Sequence, residues 1–465
     1  MSIINQANQN SSLVNSLMDA TASLTNPFEY AIERQVPFHG LQYIKHTPTN
    51  ESSFGASSSV DFDLTKVGFL RSVVFSWDTT APQNNSNCPP SGTLNCIDRI
   101  ELLSASRRLA VMDRHALKAA LSDLPNDVRS NYYKGLHMLA NGKQLAGGAG
   151  ADGTAYPSYL FIPMSFFCNV KNSLPLNFVE PVKLRVVMTD LAFGVHDTST
   201  DVKKTFAVSN PRLYGEYRIL DPEAEDATIE RNYDNVLTQL NYDYHTEVEA
   251  TGTLTSSANL KLDVEIKDPG VVSAAYVIVS CDYQDVHTAG GSETVAAANM
   301  IAAEQPLILS DIQFKASGQD IIPSMPARIL ELYGRRTLAS EFHACGFGPT
   351  YMSNEDAANF HNVYKIDFGL DGDNRNNSGG CSMRELNTPT ISVVVRMAAG
   401  SATADEDGGA DEGQGTATGT ATAVGSDKNP HALNGKKVKC RVILKKHTLI
   451  STDPASGRMV QAISN

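Results

Sequence analysis

The sequence predicts an all-β chain built as two consecutive antiparallel β-sandwiches, Greek-key or jelly-roll, with about eight strands in each. Three observations predict it. Short segments rich in Val, Ile, Phe and Tyr, punctuated by Gly, Pro, Asn and Asp, fill most of the 465 residues. Helical periodicity is scarce. The strand-like segments also come in the same order twice.

The first series runs GFLRSVVFSW (68–77), CIDRIELLSASRRLAV (96–111), YLFIPMSFF (159–167), VKLRVVM (182–188) and PRLYGEYRIL (211–220). The second runs GVVSAAYVIVS (270–280), LILSDIQFKASGQDI (307–321), NVYKIDFGL (362–370), TISVVVRM (390–397) and KVKCRVILKKHTLI (437–450). In each, the second segment holds a hairpin-like tip, Ser104–Arg107 and Ala316–Gln319. No residue-level identity links the halves, so the duplication rests on pattern and order. An acidic run with a proline, ILDPEAEDATIE (219–230), marks the boundary. The expected division is an N-terminal arm 1–26, a first sandwich 27–220 and a second 221–465.

Helices are confined to connections. DRHALKAALSDLPNDVRSNYYKGLHML (113–139) carries Ala116, Ala119, Ala120 and Leu121 at helical spacing and a break at Pro125. Ser11–Leu24, with Leu13, Leu17 and Leu24, predicts another short helix. Residues 398–434 are low-complexity and cannot bury enough apolar area to offset their ordering entropy. They fall between the last two strands. Successive connections in a jelly roll alternate between its two ends, so this long loop shares one end with every other second connection.

The net charge is −13, from 38 basic and 51 acidic residues. A protein whose main partner is a nucleic-acid backbone shows a basic stripe. The richest basic stretch here, Lys436, Lys437, Lys439, Arg441, Lys445 and Lys446, is spread along one apolar strand, so direct DNA contact is not expected. The seven cysteines are scattered singly, which fits a reducing compartment better than a disulfide scaffold. The first residues lack the basic and apolar regions of a signal peptide. The longest apolar run, 270–280, is about half of a bilayer span. A soluble intracellular product is expected.

The search for chemistry yields no catalytic, cofactor or metal residues. Gly148, Gly150 and Gly153 spell GxGxxG, but they follow a helical stretch and lead into a strand, the reverse of what a pyrophosphate needs. His343 and Cys345 lack the further ligands of a tetrahedral site. Asp371, Asp373 and Asn374 begin like a calcium loop, yet Asn376 and Ser382 stand where Gly and Glu are required. Nothing assembles a nucleophile, a base and an orienting group, so an enzyme is not expected.

Several segments together resemble one family. YLFIPMSFFCNVKNSLPLNFVEPVKLRVVM, with Pro163, Phe166, Phe167, Leu174, Pro175, Leu176 and Lys183, resembles the "P-x-x-F-F-x-N … L-P-L … E-x-K-L" run of double jelly-roll major capsid proteins of large icosahedral double-stranded DNA viruses, the algal and amoebal type. TNPFEYAIERQVPF (25–38) is similar to that family's lead into the first sheet, and CIDRIELLSASRRLAVMDRH (96–115) to its strand–hairpin–strand entering a helix. FKASGQDIIPSM (314–325), with Gly318 and Asp320, resembles its "N-G-x-D-R" turn. Residues 363–395, with Ser378 and Gly379, resemble its "Y-S-F-x-L … P-S-G-T-x-N-F-S-R" element. Asn377 and Gly380 replace the Pro and Thr of that turn, Ile321 replaces the Arg of the other, and Pro181 interrupts the "E-x-K-L" run, as in a divergent member.

The resemblance implies two eight-stranded jelly rolls side by side, three chains forming a pseudo-hexagonal capsomer, and a place in the virion shell after assembly in the host cytoplasm. It implies self-association, then contacts with neighbouring capsomers. The N-terminal arm would meet minor capsid proteins or an internal membrane, with no direct nucleic acid. Loops 140–157 and 398–434 would form an outward tower. The rival from another class is a carbohydrate-active or carbohydrate-binding sandwich, which needs paired carboxylates or an aromatic platform. Aromatics make up only 7 % of the chain, and its one tryptophan, Trp77, lies in a core-like strand. A second rival, a penton or minor capsid protein, implies a single jelly roll.

Overall fold

The computed structural model describes residues 38–50, 54–80, 92–122, 155–168, 174–189, 207–220, 237–281, 307–329, 363–368, 380–397, 434–452 and 458–463, apart from a few single positions, with the short pieces 86–87, 135–136, 195–197 and 203–204. The first unit holds β1 (Phe38–His46), β2 (Ser59–Asp63), β3 (Phe69–Thr80), β4 (Ile97–Ser104), β5 (Arg107–Asp113), β6 (Ala155–Phe161), β7 (Val182–Met188) and β8 (Ala207–Leu220). The second holds β9 (Leu237–Thr246), β10 (Leu260–Glu265), β11 (Val271–Cys281), β12 (Asp311–Ala316), β13 (Gln319–Pro326), β14 (Tyr364–Asp367), β15 (Thr390–Val395) and β16 (Lys437–Thr452).

The sheet orders repeat. The first unit stacks β1-β8-β3-β6 on β2-β7-β4-β5, and the second stacks β9-β16-β11-β14 on β10-β15-β12-β13. Adding eight to each label of one unit gives the other, so the chain is a double jelly roll. Every strand pair is antiparallel. Sequence and structure part at one segment: the residues read as a single strand, 159–167, are the end of β6 followed by a short helix, Ser165–Cys168.

Inward-facing residues alternate along the strands, as in Val182, Leu184, Val186 and Met188 of β7. In the first core Trp77 stacks on Phe75 at 5.0 Å between ring centroids, and Phe62 of the facing sheet meets Phe75 edge-on at 6.0 Å. In the second, Val277, Val279, Phe314, Ile391 and Val442 form a separate cluster.

The duplication extends into irregular detail. The hairpin tips place Ala105 and Ser317 at positive φ, 50° and 53°. Each donates its N–H to the connection entering the seventh strand, at Pro181 O (3.0 Å) and Asn387 O (2.7 Å). Both hairpins also carry the same β-bulge. Leu109 is the extra residue between the Leu102–Ala110 and Leu103–Arg108 pairs, and Ile321 is the extra residue between Phe314–Ile322 and Lys315–Asp320. After β5 the chain enters α1 (Arg114–Ser122), capped by Asp113 Oδ1 accepting from the Ala116 N–H at 2.7 Å. The rest of the 113–139 segment is described only in part, and Ser11–Leu24 lies outside the described residues.

Candidate functional site

Two hydrogen bonds fix how the units stand. Asp113 Oδ2, where β5 ends, accepts from Thr246 Oγ1, where β9 ends, at 2.7 Å. At the opposite end, Arg107 Nη1, where β5 begins, donates to Met459 O at 3.0 Å. Met459 opens β17 (Met459–Ile463), which pairs with the far end of β16. The sandwiches therefore stand side by side with the same polarity.

Strand alternation then sorts the connections. One end of the molecule carries those between β2 and β3, β4 and β5, β10 and β11, and β12 and β13, which are tight, plus the β6–β7 and β14–β15 connections. The other end carries the stretches 81–96, 114–154, 189–206, 282–310, 327–363 and 396–436. The low-complexity loop 398–434 and residues 140–154 both attach there, although they lie outside the described residues. Ala155–Pro157, read with that loop, belong to β6.

The residues singled out from the sequence attach to the tight-turned base. Pro163 is buried just after β6, and Phe166 is buried in the short helix that also contains Phe167. Pro175 pairs with Phe69 at the start of β3. Gly318, at φ 74°, completes the second hairpin tip, and Asp320 beside it lies 3.6 Å from Lys315. Ser378 and Gly379 lie outside the described residues. Next to them, Gly380 runs so close to β11 that a Cβ would meet Val272 O at 2.7 Å. The described members make packing and turns rather than a reactive cluster. His343, Cys345, Asp371, Asp373 and the three glycines of GxGxxG also lie outside the described residues. Among the described residues, no group of three His, Cys, Asp or Glu side chains could hold a metal.

The outer faces of the sheets differ in chemistry. On β2-β7-β4-β5, Glu101 sinks to 2 % exposure beneath three arginines: Arg99 Nε at 2.7 Å, Arg108 Nη2 at 3.1 Å and Arg185 Nη1 at 3.9 Å. Arg185 also grips Asp61 with two hydrogen bonds of 2.7 and 2.9 Å, holding that carboxyl below the ordinary carboxylate range. On the second unit's matching face no such cluster forms among the described residues; the charges meet in pairs, as in Lys261–Asp263 at 3.4 Å and Arg396–Asp311 at 2.8 Å.

The faces of the other two sheets carry large apolar side chains. On β9-β16-β11-β14 the outward side chains Tyr276, Ile278 and Ile443 are fully buried and belong to the first unit's core cluster. The α1 helix, buried from His115 to Ser122, packs against β9 and β16 there, and β5 runs beside β9. On β1-β8-β3-β6 the outward residues Leu41, Tyr43, Tyr159 and Phe161 are exposed. They share the sheet with two ion pairs, Arg71–Glu216 at 2.8 Å and Arg212–Asp78 at 3.4 Å. Sequence reasoning missed this face, although Leu41, Tyr43 and Lys45 alternate in the strand period.

No family model matches the chain, and no curated protein matches it. Solved structures do. The chain is similar to PBCV-1 VP54, whose crystal structure was fitted into a cryo-EM reconstruction of the virophage Sputnik, with 13 % identity, a TM-score of 0.65, and 95 % of this chain and 100 % of that one covered. It is similar to the PBCV-1 virus capsid in a quasi-atomic structure, with 14 % identity, a TM-score of 0.63 and coverage of 95 % and 100 %. It is also similar to the Faustovirus major capsid protein, with 11 % identity, a TM-score of 0.54 and coverage of 94 % and 98 %. At these identities the likeness is one of fold, and it spans both jelly rolls.

Proposed function

We propose that this chain is a major capsid protein, the structural subunit of an icosahedral virion, and that three copies form a pseudo-hexagonal capsomer. One observation carries the reading. Two sandwiches of identical topology stand in the same orientation, with the longest connections of both at one end. Such a subunit offers two similar building blocks per chain, so a threefold ring presents six similar sides and tiles a near-hexagonal net. Capsid proteins among the structures similar in fold support the same reading.

In this reading the long connections, with 398–434 and 140–154, face outward as a tower. The strand β1 begins at the tight-turned base, so the arm 1–26 leaves on the inner side, toward minor capsid proteins or an internal membrane. The acidic chain, −13 overall, would leave the genome to other layers. Residues 27–220 and 221–465 are the two building blocks. Assembly would occur in the host cytoplasm, and no catalysis is invoked.

The test is the native state of the purified chain. Light scattering should give about 150 kDa, three times the 50.1 kDa chain, and negative stain a hexagonal outline. A monomer that hydrolyses or retains glycans would overturn the reading.

A further inference from the structure

The strand β17 belongs to one jelly roll by its pairing and to the other by its packing. Its backbone pairs with Thr448–Thr452 at the base end of β16, in the second unit. The Met459 side chain is 1 % exposed and lies in the cluster that holds the first unit's core, with Tyr276, Ile278 and Ile443 from the join. Arg107 of the first unit catches the same residue by its backbone. Its Nη1 donates to Met459 O at 3.0 Å, and its Nη2 donates to Glu180 Oε1 at 2.9 Å. Ser104 Oγ donates to that same carboxylate oxygen at 2.6 Å. The planar guanidinium is thus braced on one side and aimed at the incoming strand on the other.

The duplication supplies an internal control. The second unit's tip has the same backbone: Ser317 at positive φ donates its N–H to Asn387 O, as Ala105 does to Pro181 O. Its side chains differ. Ala316 and Gln319 stand where the first tip has Ser104 and Arg107, and Leu386, just before Asn387, stands where the first unit has Glu180. Gln319 is exposed, and Leu386 packs against the second core. The turn itself therefore needs none of Ser104, Arg107 and Glu180. These three occur together in the tip that meets β17.

We infer that β17 is a strap, a strand of the second jelly roll that clasps the first at the base, with Met459 as its plug and Arg107, braced by Glu180 and Ser104, as its catch. It couples two sandwiches that each have their own pair of sheets, and it closes the join at the end opposite the Asp113–Thr246 hydrogen bond. Following all sixteen strands of the two units in the chain, it can close only once β16 is in place. The strap acts within one chain, whatever the number of copies that assemble.

Hydrogen exchange read by mass spectrometry on the full native chain tests it. The α1 helix has nine residues, too few to hold a helix alone, and it packs against β9 and β16 of the second unit. Its amide protection therefore reports how often the units part. Met459→Asp puts a charge in place of the plug and should raise exchange across 114–122 by about tenfold or more. Arg107→Gln, which copies the second tip, should raise it less, in the same direction. The sheets within each unit, read at β2 and β7 and at β12 and β15, should exchange as in the wild type. Should aspartate prevent folding, Met459→Ala provides the same comparison. Unchanged exchange across 114–122 with faster exchange across 459–463 would make β17 a local attachment. Equal acceleration in α1, β12 and β15 would make Met459 an ordinary core residue. Either result overturns the strap and leaves the capsid reading standing.

Discussion

Two strands in equivalent places differ in pattern because their surroundings differ. The β3 strand, FLRSVVFSWDTT, alternates between core and an outer face, while β11, VVSAAYVIVSC, is apolar almost throughout because Ala274, Tyr276 and Ile278 on its second face pack into the first unit's core cluster. Both occupy the third position of a jelly roll. Hydrophobic pattern therefore reports how many faces of a strand are covered, not which fold it serves.

The largest expected effect separates those faces. Tyr276→Ala removes a ring buried between the units and should cost about 3–5 kcal/mol. Tyr214→Ala, half-buried on the outer face of β8, should cost about 1 kcal/mol or less. Urea unfolding checks both, and equal losses would erase the distinction between a covered and an open face.

A second effect contrasts two carboxylates through pH. Asp61 in the first unit is held below the ordinary 3.8 by Arg185, so its contribution stands at neutral pH and is lost as pH falls through the carboxylate range. Asp243 in the second unit is raised by burial to about 6, against the pull of Lys446 and His245. The folded state then holds its proton more tightly than the unfolded chain. Its contribution is complete below about pH 4 and lost as pH rises to about 6. Asp243→Asn should therefore raise stability at pH 7 but not at pH 4, while Asp61→Asn should flatten the acid limb. Urea midpoints from pH 3 to 7 read both slopes; an unchanged slope between pH 4 and 6 in Asp243→Asn would refute the assignment.

The smallest effect sharpens the comparison at the hairpin tips. Ala105 occupies a left-handed conformation that favours glycine, so Ala105→Gly should gain about 0.5–1 kcal/mol. Gly318→Ala in the other tip should lose about 1 kcal/mol, although no atom lies near its missing Cβ. Thermal melts of the two variants should move in opposite directions.

Much of the architecture was legible because strand order needs only segments and punctuation. The tips 104–107 and 316–319 and the order of the repeated segments were read correctly. The segments β1, β2, β9 and β10 were not singled out as strands. LQYIK in β1 mixes polar and apolar residues because one face meets the core and the other lies open, and LKLDVE in β10 alternates into charge. The short helix after β6 was read as strand because Phe166 is buried there just as a strand residue would be. The difference between covered and open surfaces was not legible. Leu109 and Ile321 are both large aliphatic residues at matching bulges, and the sequence gives no sign that one is buried and the other exposed.

The placing of the longest connections at one end has a mechanical consequence. Among the described residues, the contacts that join the two sandwiches lie in β5, α1 and the strands facing them, and at Met459. Doubling a segment such as 396–436 adds about 0.6 kcal/mol in closure entropy and disturbs no packed sheet. A low-complexity segment such as 398–434 can be lengthened or trimmed while the footprint of the subunit stays constant.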